Sequence, residues 1–313
     1  MVSKTVKKKF SPKSVAIMGA TATGKSGLAI RLAEQFDGEI ISMDSRQVYV
    51  GLDIGTAKVP PAEQAGIPHH LFDILRPEEP NSAGAHLARA SQTANDICRR
   101  SRLPIFVGGT GLYFRALFRG LADLDLPPSI LDETRCSIER CDTQALYEEL
   151  QQCDPGRAAE LSPNDRQRIS RALEVVKITG KPMSEHFAEQ TPAEPWAGPK
   201  WVLTAPREGL RRRIARRTRE MYEAGWINEV RQLLDGGLSL EAPAMNSLGY
   251  GEIARSIQAG DDPYSTLDQV ITITCQYAKR QETFFRSEKD AVWFDVSARN
   301  YDQNIAQALA GLA

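Results

Sequence analysis

A glycine-rich segment near the start of the chain constrains the fold more than any other feature. Residues 19–26 read GATATGKS and fit the pattern GxxxxGK[ST]. The segment follows the apolar run VAIM and opens a helical pattern that carries Leu28, Ala29 and Leu32, which is the strand–loop–helix context of a P-loop. The backbone N–H groups of such a loop surround phosphate oxygens at the positive end of a helix. A glycine turn without a chemical role would not need this context.

The loop therefore predicts a site for a ligand that carries a pyrophosphate group. Lys25 would add a point charge, and the Ser26 hydroxyl could ligate Mg²⁺. The predicted diphosphate-binding residues are Gly19, Ala20, Thr21, Ala22, Thr23, Gly24, Lys25 and Ser26.

Short apolar runs recur between helix-length segments. They span Val15 to Met18, Glu39 to Met43, Pro104 to Val107, Trp201 to Ala205 and Val292 to Val296. Runs that are apolar throughout are typical of parallel strands buried on both faces. The chain is therefore predicted to be an α/β protein with a P-loop NTPase-like parallel sheet flanked by helices.

Strand-like runs are missing from the middle of the chain, which reads as charged and helical. We expect a flexible basic tail at 1–12, a P-loop catalytic core at 13–119 and 200–313, and an inserted helical subdomain at 120–199. The clearest inserted helix is expected to start after SPND, with Asn164 or Asp165 as its cap, and to end at Gly180. Its predicted apolar stripe is Ile169, Leu173 and Val176, with Gln167, Arg168 and Arg171 on the exposed side.

Composition gives weaker guidance about partners and location. The 313 residues include 39 Lys and Arg against 40 Asp and Glu, so any affinity for nucleic acid must come from local charge clusters. The five cysteines lack a CxxC pair, which favours reduced thiols, and the pair His69–His70 is expected to be hydrogen-bonded in a loop rather than to bind a metal. No apolar leader and no run of ~20 apolar residues is present, so we expect a cytoplasmic protein outside the membrane.

The position of the acids distinguishes this P-loop from that of a common kinase. The run that ends at Val107 continues as Gly108-Gly109-Thr110-Gly111, without the aspartate that kinases usually supply there. Asp44 instead follows the second run, where a carboxylate points into the ligand crevice of a parallel sheet. It is placed to act as a base, and the alternative left open by the residues alone is a helix N-cap formed with Ser45.

Six segments carry a specific resemblance. They are GATATGKS, DSRQVYVGLDIGTAK, PHHLFDI, FVGGTGLYFRALFRGL, NDRQRISRALEV and AKRQETFFR. Together, and in this order, they resemble the tRNA dimethylallyltransferases, also called isopentenyl-diphosphate:tRNA transferases. The resemblance implies that dimethylallyl diphosphate and Mg²⁺ are used to prenylate the exocyclic amine of adenosine 37 in tRNAs that read codons beginning with U.

Roles follow from the resemblance for individual residues. Asp44 would accept a proton from the adenine amine, and Thr21 would stabilise charge on the leaving diphosphate. Arg217 is the arginine expected to neutralise that charge, with Arg213 as its rival. The residues implied to contact the tRNA anticodon stem-loop are Asp44, Ser45, Arg46, Gln47, Thr110, Gln167, Arg168, Ile169, Ser170, Arg171, Asn246, Ser247, Leu248, Gly249, Tyr250, Gly251, Lys279, Arg280, Gln281, Glu282, Thr283, Phe284, Phe285 and Arg286.

Phe284 and Phe285 could stack on an unpaired base, but one of the two is expected to be a core residue. The sequence departs from the family pattern at Ala20, where proline is usual, and at Cys275, Phe284 and Gly251 on the presumed tRNA side. These departures bear on tRNA affinity or choice more than on chemistry.

Three alternatives remain open from the sequence. A small-molecule kinase would share the P-loop and an arginine-bearing lid, and an adenylate isopentenyltransferase would prenylate a free nucleotide. A non-enzymatic RNA-binding protein is the third, although the retention of Thr21, Lys25, Ser26 and Asp44 argues for catalysis. We expect the protein to be a monomer.

Overall fold

The computed structural model describes residues 14–120, 128–189, 196 and 198–312. Six strands form one sheet with the order β3-β2-β4-β1-β5-β6, and every neighbouring pair is parallel. The strands are β1 Val15–Gly19, β2 Gly38–Ser42, β3 His69–His70, β4 Leu103–Gly108, β5 Lys200–Thr204 and β6 Val292–Asp295. The predicted parallel α/β sheet is confirmed.

One strand was not expected from the sequence. His69 and His70 form the edge strand β3 and pair with Ile40 and Ile41 of β2, so the prediction of a loop at this point was wrong. The expected hydrogen bonds are present. His69 Nδ1 lies 2.9 Å from the Ile67 carbonyl oxygen, and His70 Nε2 lies 2.6 Å from a carboxylate oxygen of Glu39.

Helices follow most of the strands, and the longest helical stretches of the chain lie between β4 and β5 and between β5 and β6. The α-helices are α1 Lys25–Phe36, α2 Ala83–Arg99, α3 Gly111–Arg119, α4 Pro128–Glu139, α5 Thr143–Cys153, α6 Pro155–Glu160, α7 Arg166–Thr179, α8 Met183–Glu189, α9 Arg207–Glu223, α10 Trp226–Asp235, α11 Tyr250–Ala259, α12 Leu267–Phe285 and α13 Tyr301–Ala310. Within the described ranges, no helix combines the length and apolarity that crossing a bilayer requires.

The described residues divide into two compact units. The core unit comprises those of Met1–Leu117 and Trp196–Ala313, and the helical unit comprises those of Phe118–Pro195. In the core unit, β1 is buried along its whole length between β4 and β5. A fully apolar strand is stable there because both faces of the sheet are covered.

The helical unit packs around α7. This helix begins at Asp165, whose side chain accepts a hydrogen bond from the Arg168 N–H, and ends at Gly180 with a φ of 70°. Both boundaries match the expected cap and stop, since glycine adopts this left-handed conformation without steric cost. The predicted apolar stripe was only partly right. Ile169 and Leu173 are buried, but Val176 is half-buried and Val175 lies in the interior instead.

Candidate active site

The carboxyl ends of the central strands open into a cavity of about 950 Å³ within the core unit. The P-loop that follows β1, the Asp44 segment that follows β2 and the Gly108-Gly109 turn at the end of β4 all line it. Residues of α9 and α12 line the remaining sides, among them Arg217, Tyr277 and Arg280. Ligands of open parallel sheets bind at this edge, so the topology brings together segments far apart in the chain.

The P-loop is shaped by one glycine and two hydrogen bonds. Gly19 has a φ of 144°, and a β-carbon there would lie 2.3 Å from the Leu203 carbonyl oxygen. Only glycine fits, because the loop leaves β1 pressed against the neighbouring strand. The Ala20 carbonyl oxygen then accepts hydrogen bonds from the Thr23 hydroxyl at 2.8 Å and from Lys25 Nζ at 2.7 Å. These bonds join the second half of the loop and the first residue of α1 to the Ala20 carbonyl group.

Two cations lie at the P-loop end of the cavity. Burial, together with a smaller contribution from the charge of Arg217, lowers the pKa of Lys25 to about 7, while Asp44 opposes the shift. Burial also lowers the pKa of Arg217. These two half-buried cations have Asp44 and, beside Arg217, Glu220 as their acidic neighbours, and like charges disfavour each other's ionised form. A bound diphosphate would supply further negative charge.

Arg217 also defines the surroundings of Thr21. One of its guanidinium nitrogens donates a hydrogen bond to the Thr21 hydroxyl oxygen at 3.3 Å. The Thr21 hydroxyl proton therefore remains available to a ligand oxygen. Arg213, which precedes Arg217 by one turn, lines the same cavity.

Asp44 is fixed by a local turn. One of its carboxylate oxygens accepts the Arg46 N–H at 2.8 Å, which is an Asx-turn. No helix begins at this point, so the helix N-cap interpretation of Asp44 was wrong. The backbone N–H of Ser45, the residue that follows Asp44, donates to the Thr110 hydroxyl at 3.1 Å. The turn after β2 is thereby linked to the loop after β4.

The glycine at the end of β4 explains why no acid is found there. A β-carbon on Gly108 would lie 2.1 Å from the Met43 carbonyl oxygen. The backbone that carries Asp44 occupies the space that a side chain at this position would need.

One wall of the cavity depends on residues that the sequence did not reveal. The Glu229 carboxylate accepts backbone N–H groups from Asp53, Ile54 and Gly55 at 3.0, 2.8 and 3.4 Å. It also accepts the Tyr250 hydroxyl at 2.6 Å. One carboxylate thus holds the turn that places Gly55, Thr56 and Ala57 against the cavity. No local pattern points to Glu229, because its three backbone partners lie more than 170 positions earlier in the chain.

Trp226 fills the space beside this turn. A β-carbon on Gly55 or on Gly249 would lie 2.1 or 2.2 Å from its indole ring. The two glycines therefore allow a fully buried tryptophan to reach the cavity.

A buried histidine lies behind Asp44. The His86 ring stacks on Tyr113 at 4.2 Å between ring centroids, and its Nε2 lies 2.9 Å from the Ser42 carbonyl oxygen. Burial lowers the pKa of His86 to about 4, so the ring is neutral near pH 7 and donates to the last residue of β2. No sequence pattern indicated this contact.

The residues expected to contact tRNA fall into three groups by exposure. The side chains of Gln167, Arg168, Asn246, Lys279, Arg280, Thr283 and Arg286 are exposed. Others are buried: Ile169, Ser247, Gly249, Tyr250, Gly251, Gln281 and Phe285. The remainder are half-buried: Asp44, Ser45, Arg46, Gln47, Thr110, Ser170, Arg171, Leu248, Glu282 and Phe284. Only members of the exposed and half-buried groups have side chains that can reach an RNA surface without rearrangement.

Several of these side chains already have partners. Ser42 donates to Gln47, whose amide donates to the Thr56 and Ala57 carbonyl oxygens. Arg46 donates to the Pro243 carbonyl oxygen at 3.1 Å. In the helical unit, Arg168 and Arg171 form ion pairs with Asp165 and Glu174.

The two phenylalanines separate as the sequence indicated. Phe285 is fully buried, whereas Phe284 is half-buried with the Arg115 guanidinium 4.2 Å above its ring. Gly251 is a position of close approach, because a β-carbon there would lie 2.9 Å from the Met245 carbonyl oxygen.

Metal binding was tested on the donor atoms present. Among the described residues, no group of three or more His, Cys, Asp or Glu side chains is placed to hold a metal ion. The exposed Ser26 hydroxyl lines the cavity beside Lys25. Mg²⁺ retains several waters and commonly binds one or two protein oxygens together with phosphate oxygens, so a single hydroxyl at the P-loop fits a magnesium diphosphate.

Comparison with known proteins identifies the family of this chain. The IPP transferase family model matches residues 47–288, and an isopentenyl transferase model matches residues 12–70. The chain is 42% identical to the tRNA dimethylallyltransferase of Methylococcus capsulatus over 95% of its length and 96% of that protein. It is 45% identical to that of Halorhodospira halophila, with 90% and 93% covered.

Two solved structures are similar over nearly the whole chain. The tRNA isopentenylpyrophosphate transferase of Bacillus halodurans is 36% identical, with a TM-score of 0.69 and 96% of each chain covered. A eukaryotic dimethylallyltransferase that acts on tRNA is 30% identical, with a TM-score of 0.80, 95% of this chain and 77% of that chain covered. The chain belongs to the IPP transferase family, within its tRNA dimethylallyltransferase members.

Proposed function

We propose that this protein transfers the dimethylallyl group from dimethylallyl diphosphate to the N6 amine of adenosine 37 in tRNAs that read codons beginning with U. The observation that carries the proposal is the shared cavity, in which Asp44 lies with the P-loop, Lys25 and Arg217. The Asp44 carboxylate is available for a proton, and Lys25 and Arg217 are available for a diphosphate.

In the proposed reaction the N6 nitrogen attacks C1 of the dimethylallyl group. The N6–C1 bond forms, the bond between C1 and the diphosphate oxygen breaks, and diphosphate leaves with the bonding electrons. Asp44 accepts the amine proton. A positioned carboxylate is useful because the amine lone pair is delocalised into the adenine ring, which makes the nitrogen a weak nucleophile.

Thr21 and Arg217 act on the leaving group. Arg217 occupies one lone pair of the Thr21 oxygen, so the hydroxyl proton can donate to the diphosphate oxygen on which charge develops. Donors aimed at developing charge favour the transition state over the ground state. Lys25 and the P-loop N–H groups bind the remaining phosphate oxygens. Mg²⁺, held by Ser26 and the phosphates, would supply further charge neutralisation when bound.

Exposed side chains of each unit, on α12 in the core unit and on α7 in the helical unit, are proposed as RNA contacts. Lys279, Arg280 and Arg286 on α12, and Arg168 and Arg171 on α7, would contact phosphates, which position an RNA without reading its sequence. The target base must leave its stack for N6 to approach C1. We place the enzyme in the cytoplasm as a monomer.

Mass spectrometry tests the proposal directly. Unmodified tRNA is incubated with the protein, Mg²⁺ and dimethylallyl diphosphate, then digested and analysed by nucleoside. We expect a prenyl mass increment on adenosine 37 of tRNAs for codons that begin with U. Adenosine monophosphate replaces tRNA in a second reaction, and ATP alone is supplied in a third. Prenylated mononucleotide would indicate an adenylate isopentenyltransferase, and ADP formed without tRNA would indicate a kinase.

A further inference from the structure

A buried amide on α12 joins the P-loop to the turn after β4. The Thr21 backbone N–H donates to Gln281 Oε1 at 2.9 Å, and Gln281 Nε2 donates to the Gly109 carbonyl oxygen at 2.9 Å. These two partners lie 260 and 172 positions earlier in the chain. With 6% of its surface exposed, Gln281 uses both ends of its amide inside the protein.

The surroundings fit an amide at this point and leave little room for anything else. A β-carbon on Gly109 would lie 2.1 Å from Gln281 Nε2 and 3.4 Å from the Gly19 carbonyl oxygen. The missing side chain at Gly109 is therefore what lets the Gln281 amide enter between the two loops. An oxygen that accepts and a nitrogen that donates are both required, because an unsatisfied buried polar group costs about 1–3 kcal/mol.

The atoms held by Gln281 lie next to the proposed chemistry. Thr21, whose N–H it fixes, carries the hydroxyl that Arg217 contacts. Gly109 precedes Thr110, whose hydroxyl accepts the N–H of Ser45, the neighbour of Asp44. Gln281 thus connects the segment proposed to bind the leaving group with the segment that supports the proposed base.

We propose that Gln281 is a positioning residue for the transfer reaction rather than a contact for RNA. Its amide sets the position of the Thr21 backbone relative to the Gly109-Thr110 turn, and thereby the distance between the leaving-group donor and Asp44. The proposal rests on the transfer function proposed above. It assigns the RNA-facing role on this part of α12 to the exposed neighbours Lys279 and Arg280.

The first test compares Gln281→Leu with the adjacent variant Arg280→Ala. Removal of both amide contacts should lower kcat for prenyl transfer by about 10- to 100-fold, the scale expected for a misplacement near 1 Å. The Kd for tRNA should change less than twofold because Gln281 is buried. Arg280→Ala, which removes a proposed phosphate contact, should weaken tRNA binding more than Gln281→Leu does.

Gln281→Glu separates the two hydrogen bonds. The carboxylate can still accept the Thr21 N–H but faces the Gly109 carbonyl oxygen without a proton to donate. Protonation restores the donor, so the activity of this variant relative to the parent should rise as the pH falls from 8 to 6. Gln281→Leu should show no such recovery.

Two further variants test whether Gln281 acts through these loops. Gly109→Ala, which displaces the amide without changing α12, should reproduce the kcat loss of Gln281→Leu. In a Thr21→Ala background, Gln281→Leu should cost less than it does in the parent, because residues that act through one group are non-additive.

Amide hydrogen exchange of the P-loop provides a readout that does not depend on catalysis. Residues 19–26 should exchange faster in Gln281→Leu and in Gly109→Ala than in the parent, at unchanged thermal stability of the sheet. A parent without prenyl transfer would overturn the proposed function, and the exchange result would still decide whether Gln281 holds the P-loop in position. Two results for Gln281→Leu would overturn the positioning role. One is an unchanged amide exchange rate of the P-loop together with an unchanged kcat. The other is an intact kcat together with a loss of tRNA binding.

Discussion

Two charged residues of the core unit lie at opposite ends of the parallel strands and have very different surroundings. Glu39, near the start of β2, is 2% exposed and contacts His70, Arg100 and Arg102 at 2.6, 2.6 and 3.1 Å. These contacts hold the pKa of Glu39 below its usual value against the opposing effect of burial. Lys25, the first residue of α1, has the cation Arg217 beside it, and its pKa is lowered to about 7.

The contrast indicates which end of the sheet binds a ligand. Glu39 is fully compensated by the protein, so this cluster needs nothing further and serves stability. Lys25 and Arg217 are under-compensated, and a group with a perturbed pKa in a cavity is a marker of function. The account therefore places the diphosphate at the P-loop end and expects substitutions at the two ends to affect different properties.

The largest effect is expected from Asp44→Asn at the functional end. The amide keeps the shape and the hydrogen bond to Arg46 but cannot accept the amine proton. Turnover at saturating substrates should fall by about two to four orders of magnitude, as for loss of a general base, while binding of diphosphate and tRNA stays near the parent values. Single-turnover kinetics by nucleoside mass spectrometry measures this. Parent-like turnover would remove Asp44 from the mechanism.

Glu39→Gln should lower the stability of the fold without affecting catalysis. Loss of one member of a buried ion cluster is costly, although here the two arginines are half exposed and can be solvated, so we expect about 2 kcal/mol from the free energy of unfolding. Urea denaturation measures it. The matched observation is kcat and KM for both substrates, which should stay within twofold of the parent at a temperature where the variant is folded. A kinetic defect without a loss of stability would contradict the comparison.

The smallest effect is expected in the helical unit, where Arg168 and Arg171 already have acidic partners. If they contact RNA phosphates, each lost contact should reduce the slope of log affinity against log salt by about 0.7 to 0.9. The double alanine variant should weaken tRNA binding about tenfold at low salt and spare dimethylallyl diphosphate binding. Filter binding across a salt series decides this, and an unchanged slope would leave the two arginines as a solvated helix face.

The sequence was informative wherever a residue's role follows from its neighbours in the chain. The P-loop pattern predicted the turn after β1, and the strand-tip position of Asp44 predicted its place in the cavity. The capping pattern predicted both ends of α7. Each of these depends on local backbone geometry, which a short motif encodes.

The supporting residues were not predictable in the same way. Glu229 and Gln281 act through hydrogen bonds that span more than 170 positions, and no periodicity encodes such pairs. Gln281 was grouped with RNA-contacting neighbours because it lies within a motif, yet the helix turns its side chain inward. His69 and His70 form a strand because they pair with the edge of β2. Local propensity does not reveal such a pairing.

Proton uptake on diphosphate binding tests the central comparison most directly. Because the free protein holds Lys25 with a pKa of about 7, binding an anion at pH 8 should favour the charged amine and take up as much as one proton. Calorimetry of dimethylallyl diphosphate in two buffers of different ionisation enthalpy measures this number. Lys25→Arg, which keeps its charge at every pH tested, controls for protonation of the ligand itself.

The account predicts that the parent takes up more protons than Lys25→Arg at pH 8 and that the difference disappears near pH 6. Equal proton uptake by the two proteins at pH 8 would show that Lys25 is already charged, and would contradict the under-compensated site on which the account depends.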